Sequence, residues 1–166
     1  MNRSEILTHK QKLEIMPDIS FMLNIIYETM ARGICLEVVH WVNTSTDEFL
    51  KFCYTLIVSG LDPKINKLVL NNMVENEEND FKRKKMRIQK DAMLTLQHEG
   101  ALTYSNLIIF SHLGFEFKSD FINYIHEHNP KIYSLLFKDG DFIGYNLETT
   151  IELLNDLKNG TGYYST

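Results

Sequence analysis

Residues 63–98 contain no glycine, and their one proline, Pro63, stands at the start, where a helix tolerates it. The segment keeps a helical apolar period and, at 1.5 Å per residue, about 36 residues would form a rod about 54 Å long. That is longer than a domain of 166 residues is expected to be wide. The segment must therefore overhang the rest of the protein or bend. Its apolar face is clear at Ile65, Leu68, Val69 and Met73, lapses through Glu75, Glu77, Glu78 and Asp80, and resumes at Met86, Met93 and Leu96. A bend, if there is one, belongs at 76–81.

The same segment carries an abrupt reversal of charge. Glu75, Glu77, Glu78 and Asp80 run directly into Lys82, Arg83, Lys84, Lys85, Arg87 and Lys90. The whole chain has 17 Lys and Arg against 22 Asp and Glu, so a net charge of -5 conceals one strongly polarised stretch. Glu78 and Asp80 precede Lys82 and Lys84 by four residues, a spacing that supports an exposed helix by about 0.2 to 0.5 kcal/mol per pair. A solvated helix face accounts for the pattern. The functional reading is an electrostatic docking surface for a protein partner, made by Glu75, Glu78, Asp80, Lys82, Arg83, Lys84, Lys85 and Arg87, with Trp41 as a further contact. An RNA-binding stripe would need interleaved aromatic residues, and only Phe81 is available, so no nucleic-acid partner is expected.

Elsewhere the pattern is again helical, and the fold class is mainly α: a compact helical bundle with one long charged helix. A polar N-terminal helix or arm over 1–16 is expected to end at Pro17, followed by a single helical domain over 17–158 and a disordered tail over 159–166. Within the domain, helices are expected at 18–32, 49–57, 105–113, 119–128 and 146–158, the fourth capped by Ser119 and Asp120. Residues 34–42 suit a helix or a strand. Residues 132–145 suit a small β-hairpin turning at Asp139-Gly140, or a helix end and a loop.

Little in the chain points to catalysis. Cys35 and Cys53 lie in apolar surroundings and read as buried, reduced thiols. The histidines are scattered, and His126 and His128, two apart, would face different sides of a helix. The glycines form no phosphate cradle. The protein is therefore expected to be no enzyme and to hold no metal or cofactor. Residues 1–12 are too polar for a secretion signal, and no apolar run approaches the length of a membrane span, so a cytoplasmic location is expected. Self-association through apolar ends of an overhanging helix would give a homodimer. The competing function is a small-ligand-binding regulatory domain with a pocket near Phe110, Phe115, Phe117 and Tyr124.

Three runs in one region carry a family resemblance. Residues 31–37 (ARGICLE), 47–50 (DEFL) and 56–63 (LIVSGLDP), followed by an acidic helix, resemble the cytoplasmic segment of the MotA family of flagellar stator proteins in order and approximate spacing. The match covers 27–80. In that family the segment is helical and touches a rotor protein, so the resemblance implies a helical interaction scaffold and a flagellar rotor or motor component as partner. Two departures limit it. The four membrane-spanning helices of the family are absent, and Val38, Val39, His40 and Trp41 stand where charged rotor contacts would be expected.

Overall fold

The computed structural model describes residues 6–143, together with 154, 155, 158 and 159. Helix α1, His9–Arg32, opens on a reciprocal cap: Thr8 Oγ1 accepts from the Gln11 amide at 3.1 Å, and the Gln11 side chain accepts from the Thr8 amide at 2.9 Å. The helix ends at Gly33, whose φ of 73° suits a residue without Cβ, and the Gly33 amide donates to the Thr29 carbonyl. Between them Ile15, Met16, Ile19, Met22, Leu23, Ile25 and Ile26 are buried.

The expected break at Pro17 is not there; the chain runs through it as one helix, and residues 9–16 are its opening turns. Proline lacks the amide that would bond the Leu13 carbonyl, but Pro17 and Leu13 are both exposed, so water can serve the freed acceptor. Ile15, Met16 and Ile19 on either side are anchored in the core, and burial holds the helix where local preference would end it.

Residues 34–42 resolve as a helix, α2, Leu36–Asn43. Asp47 then caps α3, Glu48–Val58, accepting from the Leu50 amide at 3.0 Å, and Asp62 with Pro63 starts α4, Pro63–Glu75. The long segment bends: α4 stops at Asn76, and α5, Asp80–Met93, begins at Asn79, whose side chain accepts from the Lys82 amide. The two helices pack against each other, so the overhang that suggested self-association does not form. A 3₁₀ turn, Leu94–Gln97, follows.

Helix α6, Ala101–Leu113, begins four residues before the expected start at 105 and packs along α1 and α5. After a 3₁₀ turn come α7, Lys118–His128, and α8, Pro130–Leu136. Ser119 and Asp120 do not cap α7; the preceding 3₁₀ turn leads straight into it, and Asp120 faces His9 at 3.3 Å. Asn129 fixes this corner to α1, donating to Ser20 Oγ and Asn24 Oδ1 at 3.0 Å each while accepting from the Ile132 amide. Residues 132–143 combine both readings expected for 132–145, of which 144 and 145 lie outside the described residues: α8 fills 132–136, and a short hairpin follows, β1 Phe137–Lys138 and β2 Asp141–Phe142, pairing Phe137 with Phe142. Asp139 and Gly140 have φ of 53° and 77°, as a tight primed turn requires.

The architecture is mainly α, with one hydrophobic core shared by α1 to α8. The expected helix at 146–158 lies outside the described residues except for helical residues 154, 155 and 158, where Leu154 is exposed. Most of the expected tail also lies outside them. No helix among the described residues is long and apolar enough to cross a membrane.

Because Pro17 is exposed inside a helix, Pro17→Ala should restore one backbone hydrogen bond at no packing cost. A gain of about 1 to 2 kcal/mol in urea unfolding is expected, below the full penalty of an interior proline because alanine also loosens the unfolded chain.

Candidate interaction groove

The ten residues 81–90 put six cations on one helix, and the fold places that helix in the middle of the protein, against α1, α3, α4 and α6. A lysine can occupy such a position only by laying its stem along apolar neighbours and bringing its ammonium to an acceptor. The structure shows that distribution. Lys84 and Lys90 are buried, Lys85, Arg83 and Arg87 are half-buried, and Lys82 is exposed. Of the expected docking residues, Glu75, Glu78, Asp80 and Lys82 are therefore surface groups, whereas Lys84 is an interior one.

Their partners follow from the packing. Lys82 meets Glu77 at 3.2 Å, Arg83 pairs with Asp80 and donates to the Glu77 carbonyl, and Arg87 reaches Glu75 across the α4–α5 hairpin at 3.3 Å. Glu77 also accepts from the Asn79 amide, and this bond, with Lys82 next, holds its carboxyl below the usual range. Lys84 Nζ lies 3.3 Å from His112 Nδ1. An ammonium has no lone pair, so Nδ1 is the acceptor in this contact, and Nε2 on the other side of the ring donates to Asp91 Oδ2 at 2.8 Å. Lys90 bonds Asn71 Oδ1 at 2.7 Å and faces Asp91 at 3.2 Å.

Asp47 is the junction of this system with α3. One carboxylate oxygen caps α3; the other accepts from Gln89 at 2.6 Å and lies 3.6 Å from Lys85. Lys85 also meets Asp18 of α1 at 2.8 Å. Burial works against the Lys85 charge, but the hydrogen bond and charge of Asp18, together with Asp47, outweigh it and keep the ammonium more basic than an ordinary lysine.

Beside this junction a groove of about 1200 Å³ opens between α3 and the α4–α5 hairpin. Phe49, Phe52, Met73, Phe81 and Met86 give it apolar surface; Glu48 and Lys51 stand on the α3 side, Glu77 and Lys82 on the other. Of the expected docking residues, Lys82 and Lys85 line it. Trp41 does not: it packs edge-on against Phe21 of α1, 5.0 Å between ring centroids. The contributions of Phe52 and Met73 were missed at the level of sequence. The signal was present in the wide apolar arc of α3, wider than its buried face needs.

Of the four aromatic residues expected to enclose a ligand, Phe110 and Phe115 are in edge-on contact, 5.7 Å between ring centroids, while Phe117 and Tyr124 pack on other neighbours. Phe117 is buried against His9 and Lys12, Phe110 packs with Phe115, Phe121 and Phe142, and Tyr124 stacks on His128. Both cysteines are free; Cys53 is buried and Cys35 half-buried, and burial pushes the Cys53 thiol well above the ordinary range. Among the described residues no group of three or more His, Cys, Asp or Glu is placed to hold a metal ion.

No protein-family model, curated protein or solved structure matches the chain.

Two substitutions test the polar framework. Asp47→Ala removes a cap and leaves the buried Gln89 amide unpaired, so a loss of about 2 kcal/mol in chemical denaturation is expected, with Asp47→Asn losing less because it retains the cap. At Asp91, burial raises the carboxyl pKa, but the His112 hydrogen bond and Lys90 more than offset it, and the net shift is downward. A depressed carboxylate contributes stability that is present above its unfolded pKa, near 4, and is lost as pH falls through the folded value. Asp91→Asn should therefore unfold more easily at neutral pH, and its stability should fall less steeply than that of the parent as pH falls below about 4.

Proposed function

We propose that this protein is a non-catalytic, cytoplasmic interaction domain that receives an amphipathic helix of a protein partner in the groove between α3 and the α4–α5 hairpin. One observation carries the reading: Phe52 and Met73 remain partly exposed on opposite walls of a groove of about 1200 Å³, on helices whose buried faces are already satisfied by the core. Helix-in-groove recognition needs an apolar trough for side chains spaced three and four apart, with polar rims that fix direction. The rims here carry two signs. Glu48 pairs with Lys51 at 2.8 Å on α3 and Lys82 with Glu77 at 3.2 Å across the groove, so each wall offers charges of both signs to an incoming helix, by exchange of an exposed ion pair. The resemblance of 27–80 to the stator cytoplasmic segment supports the same class of function and makes a flagellar motor component the first partner to try.

The test is affinity capture with the full chain, followed by cross-linking to locate the contact. Phe52→Glu places a charge on a side chain that is 39% exposed, so the fold should survive, as circular dichroism would verify. A partner whose cross-links fall on the groove, and whose capture drops about tenfold or more with Phe52→Glu and with Lys82→Glu, supports the proposal. A partner bound equally by the parent and Phe52→Glu, or cross-linked only elsewhere, sinks it.

A further inference from the structure

A second cavity, of about 520 Å³, lies where the first turns of α4 meet the end of α5, its 3₁₀ turn and the last turns of α6. That volume suits a small organic molecule. Its apolar side includes Leu94 and Ile108; its polar side includes Lys64, Lys67, His98 and His112.

The charge balance there departs from that of the whole chain. Lys82, Lys85, Lys90 and Arg87 each have a carboxylate partner, but Lys64 and Lys67 make no ion pair and no side-chain hydrogen bond among the described residues. They stand three apart on α4, so both present to the same side of the helix. The carboxylate in the lining, Asp91, is already engaged by His112 and Lys90, with Lys84 behind the imidazole. Its charge is offset from within the protein and leaves the two lysines unanswered. The N-terminal end of α4 is already met by the Asp62 carboxylate, which accepts from the Lys64 amide at 2.7 Å, so the cationic character of this side comes from the lysine side chains. A chain of net charge -5 thus holds a locally cationic cleft with an apolar wall.

We infer that this cleft binds a small phosphate monoester, its dianionic phosphoryl group held by Lys64, Lys67 and His98 and its apolar body resting on Leu94 and Ile108. Two ammonium groups facing one dianion match its charge where a single carboxylate would leave one unpaired. The His112–Asp91 pair fixes the cleft wall by joining α6 to α5 and does not need to touch the ligand. This site is separate from the groove proposed for a partner helix and stands or falls independently of it.

Isothermal titration of the full chain decides the matter, with phenyl phosphate, benzoate and phenol as probes. Phenyl phosphate should bind saturably with Kd between about 10 µM and 1 mM, phenol should give no binding, and benzoate should bind at least about tenfold more weakly. The exposed double variant Lys64→Glu/Lys67→Glu should weaken phenyl phosphate by about tenfold or more at unchanged melting temperature, and raised salt should weaken the parent in the same direction. If the double reversal lowers the melting temperature, Lys64→Gln/Lys67→Gln carries the same expectation. Absence of saturable binding, equal affinity for phenol or benzoate, or unchanged affinity in the lysine variants overturns the assignment.

Discussion

The constraint on which the structure depends is the burial of its most cationic helix. Helix α5 contributes Met86, Ile88, Ala92 and Met93 to the core, yet between them it carries lysines and arginines that cannot be left inside without acceptors. The neighbouring helices supply them: Asp18 on α1 and Asp47 at the start of α3 for Lys85, Glu75 and Asn71 on α4 for Arg87 and Lys90, and His112 on α6 for Lys84. These pairs contribute less through their charge than through what they specify. Replacing a buried ion pair by apolar groups is often harmless, whereas removing one partner strands the other. A rotated or shifted α5 would strand several groups at once, so the polar contacts select the register that apolar packing alone would leave loose.

The same helix organises both candidate sites. Residues 82, 85, 86 and 89 follow the three-and-four spacing of one helical stripe and face the groove; Asp91, on another side of the helix, borders the cleft, with Lys84 one layer further in against His112. The electrostatic characters of the two differ for a structural reason. In the groove, every cation that lines it meets a carboxylate, and recognition there must rest on apolar area with charge as a guide. In the cleft, the Asp91 carboxylate is engaged by Lys90 and His112, so the surface lysines Lys64 and Lys67 have no carboxylate of their own.

Much of the chain's helical punctuation was legible because it was local chemistry. Asp47 before Leu50, Asp62 before Pro63, and Gly33 at the end of α1 are local signals that need no tertiary context, and each sits at a helix end in the structure. Pro17 was misleading for the converse reason. Its local penalty is real, but Ile15, Met16 and Ile19 are buried by elements far along the chain, and a sequence window cannot weigh their burial against one missing hydrogen bond. The bend in the long segment was legible as a lapse in apolar period, but its mechanism was not: two asparagines, Asn76 closing α4 and Asn79 opening α5, do what glycine and proline do elsewhere.

The charge block shows most clearly where pattern stops being informative. Sequence locates its cations but says nothing of how far each stem travels before the ammonium meets water. Lys82 and Lys84, two positions apart on one helix, differ by about 200° in direction, and that rotation alone puts one on the rim of the groove and the other against an imidazole in the interior. A run of charge therefore looks uniform in one dimension and becomes divided once a helix is wrapped by neighbours. The residues that matter for recognition are then those the core leaves over, and these include neutral side chains such as Phe52 and unpaired ones such as Lys64 and Lys67, none of which stands out in the charged run itself.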